Sequence, residues 1–254
     1  MTQFSTLATH YDELMQVVPY DDWAEYVRLL WSFASHTPHR VLDCACGTGN
    51  VSFELAKFGY EVMGVDLSPE MIVVAQRKAQ EHDSVPNDYR APRFAVADLG
   101  DFDLGETFDS ASCLYDSLNY ITDSAHLKRA FECVRRHIEP GGVWVFDMNS
   151  DYALSADLFS QTNRSAHKPL SYEWKANYDD STHICTVTMS FERVTPEGRE
   201  TFSETHRERA YLLSEVTALL EETGWDLEYV FDAYTLNRTH DRSERWYFVA
   251  RRRD

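Results

Sequence analysis

Asp43-Cys44-Ala45-Cys46-Gly47-Thr48-Gly49 follows the apolar start of a strand and precedes a helix carrying Val51, Leu55 and Phe58. Small residues at 45, 47 and 49 let a ligand come close to the backbone at a helix N-terminus. A dinucleotide-binding turn needs glycines spaced GxGxxG, and here the third position is Ser52, so that fingerprint fails. Asp66 ends the next apolar run, 19 residues beyond Gly47, where a carboxylate can accept both hydroxyl hydrogens of a ribose. Helix capping is the other use for an Asp there, but Ser68, ahead of Pro69, fills that place. Asp98, followed by Leu99, ends a third run; alone it reads equally as turn chemistry. A tight turn would also explain the Gly47-Thr48-Gly49 step alone, but three carboxylates in step with it form a far more specific signal.

This constellation resembles motif I and its companions in the class I S-adenosylmethionine (SAM)-dependent methyltransferases, whose motif I is an acidic residue followed by GxGxG. Ala45 departs at the first glycine and adds only a methyl group. The resemblance implies a cofactor loop of Asp43, Ala45, Gly47 and Gly49, a ribose contact at Asp66, and an adenine amino contact at Asp98. Leu67 and Leu99 would pack on the adenine ring, with Met71 and Leu114 completing the lining. Tyr11-Asp12-Glu13-Leu14-Met15, Pro19-Tyr20, Trp23, Asp116-Ser117-Leu118-Asn119-Tyr120 and His206-Arg207-Glu208-Arg209-Ala210-Tyr211 extend the likeness. They are similar to bacterial small-molecule methyltransferases of the kind that N,N-dimethylate macrolide amino sugars. There the N-terminal segment closes over the cofactor, with Tyr11 beside its methionine portion and Tyr20 and Trp23 in the lid; simple packing is an equal reading for Trp23.

Methyl transfer from a sulfonium is an in-line displacement, so holding the nucleophile close and excluding water suffices for much of the rate. S-adenosylhomocysteine is the product implied. Cys113 to Tyr120 places polar and aromatic side chains at the end of the fourth strand, with Asp116, aided by Tyr11 or Tyr115, the expected base. The Asp/Asn-Pro-Pro-Tyr tetrapeptide of DNA amino-methylases is missing there. Asp116, Asp147 and Asn149 could instead serve metal-assisted O-methylation, although no metal is expected. A nucleotide-dependent oxidoreductase and a noncatalytic SAM-binding protein stand as further alternatives. The acceptor is expected to be a small molecule, with an amine slightly preferred to a hydroxyl; Trp174, Arg209 and Tyr234 are candidates to reach it.

Five β-type runs end at Asp43, Asp66, Asp98, Leu114 and Asp147, with helical segments between them. Strands alternating with helices predict an α/β fold: a Rossmann-like seven-stranded methyltransferase sheet with helices on both faces. Ser124 is expected to cap a helix over 124–138 that Pro140-Gly141-Gly142 stops, and Ser214 a second that Gly224 ends. Trp23, Tyr26, Val27, Leu30 and Ala34 share one helix face in a cap over 1–36. Residues 151–211 read as an inserted antiparallel sheet of three strands, turning at Asp179-Asp180-Ser181 and Thr195-Pro196-Glu197-Gly198. The core then comprises 1–150 and 212–254, closing on strands near 226–235 and 244–251.

With 24 Lys+Arg against 42 Asp+Glu, the net charge of −18 disfavours nucleic acid as a partner. The one dense arginine run, Arg251 to Arg253, reads as a frayed tail. No leader pattern opens the sequence and no run approaches the roughly 20 apolar residues of a membrane span, so a cytoplasmic, membrane-free protein is expected. Five cysteines, an odd number inside apolar patterns, read as reduced core thiols.

Overall fold

Alternation of side chains along each apolar run decides which helix covers which face of the sheet. The computed structural model describes Ala8 and residues 11–84, 88–163, 170–195 and 198–254. Helices α1 (Tyr11–Leu14) and α2 (Tyr20–Phe33) precede β1 (Arg40–Cys44), α3 (Asn50–Lys57), β2 (Glu61–Asp66), α4 (Pro69–Asp83), β3 (Arg93–Val96) and β4 (Phe108–Cys113). A 3-10 turn (Ser117–Tyr120), α5 (Ser124–His137) and β5 (Ile138–Asn149) complete the first part. The chain then passes through α6 (Asp151–Ser155) into β6 (Gln161–Asn163), β7 (Leu170–Asp179), β8 (Ile184–Thr195) and β9 (Gly198–Arg209). It returns through α7 (Leu213–Glu222), β10 (Trp225–Asp232) and β11 (Arg245–Arg252).

The seven-stranded sheet has the order β10-β11-β5-β4-β1-β2-β3, with β1 to β5 parallel and β11 antiparallel to both neighbours. Val41, Val143 and Val145 point to the face covered by α2 and α3, where Leu30, Trp31 and Leu55 are fully buried. Their neighbours Leu42, Trp144 and Phe146 point the other way, against Leu127 and Phe131 of α5 and Leu220 of α7. Each such buried side chain contributes roughly 1.5–3 kcal/mol. Strand order reverses between β1 and β4, the switch point at which open α/β sheets leave a crevice beyond their carboxyl ends.

Several details depart from the sequence reading. The antiparallel sheet has four strands, β6-β7-β8-β9, because three polar residues at Gln161–Asn163 add an edge. Asp123, not Ser124, caps α5, accepting from the His126 backbone N–H at 2.7 Å. Pro140, Gly141 and Gly142 lie within β5, where the pairing with β4 is irregular. Helix α7 starts without Ser214: the Glu215 carboxylate accepts from the Leu212 N–H at 2.8 Å. Ser68 does cap α4, accepting from the Met71 N–H. Ser181 N–H donates to Asp179 in the first insertion turn, whereas Pro196 and Glu197 of the second lie outside the described residues. The arginine run is no frayed tail: Arg251 and Arg252 end β11, Arg251 pairs with Glu228, and Arg253 pairs with Asp226. No described helix is long and apolar enough to cross a membrane.

Candidate active site

At the switch point the chain leaves β1 with Ala45 and Gly47 in the left-handed region (φ 53° and 56°) and enters α3 through Gly49 (φ 83°). Ala45 holds this conformation at a cost of roughly 1–2 kcal/mol that glycine avoids. Above the turn lies a cavity of about 530 Å³. Ala45 and Gly47 line it; Gly49 does not, and a Cβ there would meet the Phe94 ring at 2.5 Å, so its glycine serves packing. Asp43 sits beneath the turn, buried, accepting from the hydroxyls of Ser52 and Ser112. Burial pushes its carboxyl up to about 6 despite these donors, with the Asp66 charge adding to the rise. The oxygens of Asp66 accept from the N–H groups of Gly47 and Ser68, both at 2.8 Å, tying the β2 end to the turn. Leu67 and Met71 continue this wall. Asp98 accepts from the Gly100 N–H and from His126 Nε2 at 2.7 Å; burial raises its carboxyl, but these partners hold it below the ordinary value. Leu99, next in the chain, and Leu114, just past the β4 end, also line the cavity.

Beyond Leu114 the backbone turns sharply, with Tyr115 (φ 65°) and Asp116 (φ 53°) both left-handed. Consecutive non-glycine residues in that region cost about 1–3 kcal/mol each and mark a site the surroundings impose. Asp116 is aimed at Arg245, whose Nη2 donates to it at 2.7 Å, while the same guanidinium donates to the buried Asp147. Burial pushes the Asp116 carboxyl up to about 6, opposed by the Arg245 charge and reinforced by that of Asp147. Glu208 of β9 is buried too; desolvation, then the Asp116 charge, hold it well above the ordinary carboxylate range. Asn149 donates to the Glu208 carboxyl at 2.9 Å. Asp147 and Asn149, weighed above as metal ligands, are thus engaged by Arg245 and Glu208. Among the described residues no three His, Cys, Asp or Glu side chains gather as a metal-binding set.

The inner face of the antiparallel sheet closes this end with Trp174, Val187, Met189 and His206. Tyr120, from the 3-10 turn, lies 3.1 Å from His206 Nδ1, and His206 Nε2 lies 2.9 Å from Glu204. Over the cavity sit Tyr11, Tyr20 and Trp23; Trp23 lies against Tyr20 at 5.3 Å and Tyr115 at 5.1 Å between centroids. Burial, then the nearby Tyr20, raises the Tyr11 phenol well above its ordinary value. Asp12 anchors this lid, accepting from Thr48, Asn50 and Lys78.

Of the three residues expected to reach in from later strands, only Trp174 does. Tyr234 stacks behind Trp23 at 6.2 Å, and Arg209 is drawn outward to Glu215 and Ser124. Arg245, Glu208, His206 and His126 went unread as site residues. A signal for two of them exists: Glu204, His206 and Glu208 recur at every second position of one strand, a polar face turned inward.

Residues 41–142 match the methyltransferase domain family. A SAM-dependent methyltransferase structure from Clostridium acetobutylicum superposes with a TM-score of 0.85 at 28% identity, covering 99% of each chain. The candidate methyltransferase YqeM of Bacillus subtilis is 31% identical over 251 residues, 98% of this chain and 97% of that one. This chain is a class I SAM-dependent methyltransferase. A third relative of this SAM-dependent methyltransferase is the dTDP-4-amino-2,3,4,6-tetradeoxy-D-glucose N,N-dimethyltransferase of Saccharopolyspora spinosa, 30% identical over 75% of this chain and 72% of its own. The methyltransferase takes SAM as its cofactor, and its seven-stranded sheet with an appended antiparallel sheet is the fold the sequence predicted.

Proposed function

We propose that this methyltransferase places a methyl group on the nitrogen of a small-molecule amine held between the β4 and β5 ends and the inner face of the antiparallel sheet. The charge of the cavity wall carries the choice of acceptor. Five aspartates, Asp43, Asp66, Asp98, Asp116 and Asp123, line it against one arginine, Arg245, which is itself bound to Asp116 and Asp147; Glu208, whose carboxyl burial holds well above the ordinary range, is left out of that balance. A cationic acceptor gains from that surplus and a neutral hydroxyl does not. The likeness to an amino-sugar N,N-dimethyltransferase supports the same reading.

The cofactor half of the cavity fits SAM. Gly47 leaves its backbone uncovered, with nothing within 4 Å of where a Cβ would stand. In this reading Asp66, which lines the cavity, takes the ribose hydroxyls and Asp98 the adenine amino group. Leu67, Met71, Leu99 and Leu114 supply apolar walls, and Tyr11, Tyr20 and Trp23 close the top. Asp43 and Gly49 shape the turn from beneath. When bound, SAM supplies an electrophilic methyl group on a positively charged sulfur. Asp116, flanked by Tyr11 and Tyr115, holds the acceptor nitrogen by charge and orients it, while the aromatic lid excludes water. The guanidinium already on Asp116 favours this anchoring role over the proton-accepting one expected from sequence.

Calorimetric titration with S-adenosylhomocysteine and a rate assay for its release test the proposal. Asp66→Ala removes two charge-assisted hydrogen bonds of about 1.5 kcal/mol or more each, so S-adenosylhomocysteine affinity falls about 100-fold. Release that depends on amines supports N-methylation; release with alcohols or phenols alone overturns it in favour of O-methylation. Tight cofactor binding without turnover of any acceptor points to a binding protein.

A further inference from the structure

Tyr120, His206 and Glu204 come from two distant segments and form a line running away from the acceptor end of the cavity. Tyr120 and His206 both line the cavity, and His206 is 1% exposed. Glu204 holds His206 Nε2 at 2.9 Å, and a carboxylate can only accept, so Nε2 carries the imidazole proton. An imidazole that carries its one proton there turns the Nδ1 lone pair to the Tyr120 hydroxyl, 3.1 Å away, which can donate to it. We propose that Tyr120 takes the proton of the bound ammonium while its own passes to His206, so that the amine reaches the methyl group with a free electron pair.

The step balances. An N–H bond of the acceptor breaks, its electron pair stays on nitrogen, the proton joins the Tyr120 oxygen, and the original phenolic proton bonds to His206 Nδ1. The resulting imidazolium is paired with Glu204. Tyr120 is a catalytic residue in this scheme; His206 and Glu204 are positioning residues acting through it. Among the described residues, the titratable groups acting on Tyr120 are Glu208 of β9, Asp116 and Tyr115 from the β4 turn, and Tyr11 from α1. Asp116, already bound to Arg245 at 2.7 Å, keeps the positive acceptor in place rather than taking its proton.

The inference rests on the amine reading, and the test separates the two. Wild type, Tyr120→Phe, His206→Gln and Glu204→Gln are assayed for S-adenosylhomocysteine release from saturating SAM and a primary amine across pH. Calorimetry with S-adenosylhomocysteine verifies each fold, and Tyr120→Phe, which loses only a hydroxyl, guards against the loss of a buried residue. The expected result is unchanged cofactor affinity with kcat/KM about 100-fold lower near neutral pH in Tyr120→Phe and His206→Gln. That deficit shrinks to a few-fold at alkaline pH, where the amine arrives unprotonated, and Glu204→Gln is intermediate. A deficit that stays constant with pH, or variants within threefold of wild type, overturns the relay and leaves N-methylation standing. A wild-type protein that binds SAM and methylates no amine overturns both.

Discussion

Ser52 stands where a dinucleotide-binding turn would have its third glycine, and its hydroxyl donates to Asp43 under the cofactor loop. One residue thus breaks one nucleotide fingerprint and supports another. Asp43 lies folded away with a carboxyl pushed up to about 6 by burial, above its unfolded value of about 3.9. The sign follows from linkage: the ionised carboxylate is a cost to the fold that is fully present above pH 6 and fades as pH falls from 6 towards 4. Ser52→Ala deepens that cost by withdrawing a donor. Urea denaturation at pH 8 should show a loss of about 1–3 kcal/mol, and a clearly smaller loss at pH 5, where the carboxyl holds a proton. Equal losses at the two pH values would assign the hydroxyl to packing alone.

Elements differ in how plainly the sequence announces them. Strands β1 and β2 are short, largely apolar runs, so their carboxyl ends, and with them Asp43 and Asp66, can be read directly from residue order; β3 stops two residues before Asp98, and β5 runs on to Asn149, two residues past Asp147. Helix starts were misread where two capping side chains compete, as Asp123 and Ser124 do, or where a Glu215 reaches back over an apolar Leu212. The cluster of Asp116, Glu208 and Arg245 had no local signature. Its members meet only because β11 runs antiparallel beside β5, setting Arg245 opposite Asn149, and because β9 lies against the 3-10 turn. Helix α1 is likewise too short to stabilise itself and is held by Asp12 on Thr48, Asn50 and Lys78 and by Glu13 on Arg193. Burial raises the Asp12 carboxyl, but Thr48, Lys78 and Asn50 outweigh it and bring it below its ordinary value. A depressed carboxyl keeps its contribution above the unfolded value and loses it only as pH falls through the folded one. Asp12→Ala should therefore speed hydrogen exchange in residues 11–14 and weaken SAM binding about tenfold, equally at pH 6 and pH 8, with little change in global stability. Undiminished SAM affinity would show that Tyr11 and Tyr20 need no anchor to cover the cavity.

The whole molecule carries −18 and concentrates part of that charge around one cavity. Two ranges of electrostatics operate there. Inside, the contacts among Asp116, Asp147, Glu208 and Arg245 are buried, so salt barely touches them. Outside, the summed field reaches an approaching ligand only within a Debye length, about 10 Å at 0.1 M salt. On the proposed function, a cationic acceptor would be drawn in by a screenable field and retained by an unscreenable one. At saturating SAM and pH 7, raising salt from a dilute buffer to about 0.3 M should lower kcat/KM for an amine up to about tenfold through slower capture. The corresponding kcat should hold, and a neutral hydroxyl analogue should show no trend in either constant. A flat kcat/KM with unchanged turnover would mean that the acidic surface serves solubility, leaving acceptor choice to Asp116 at the cavity wall.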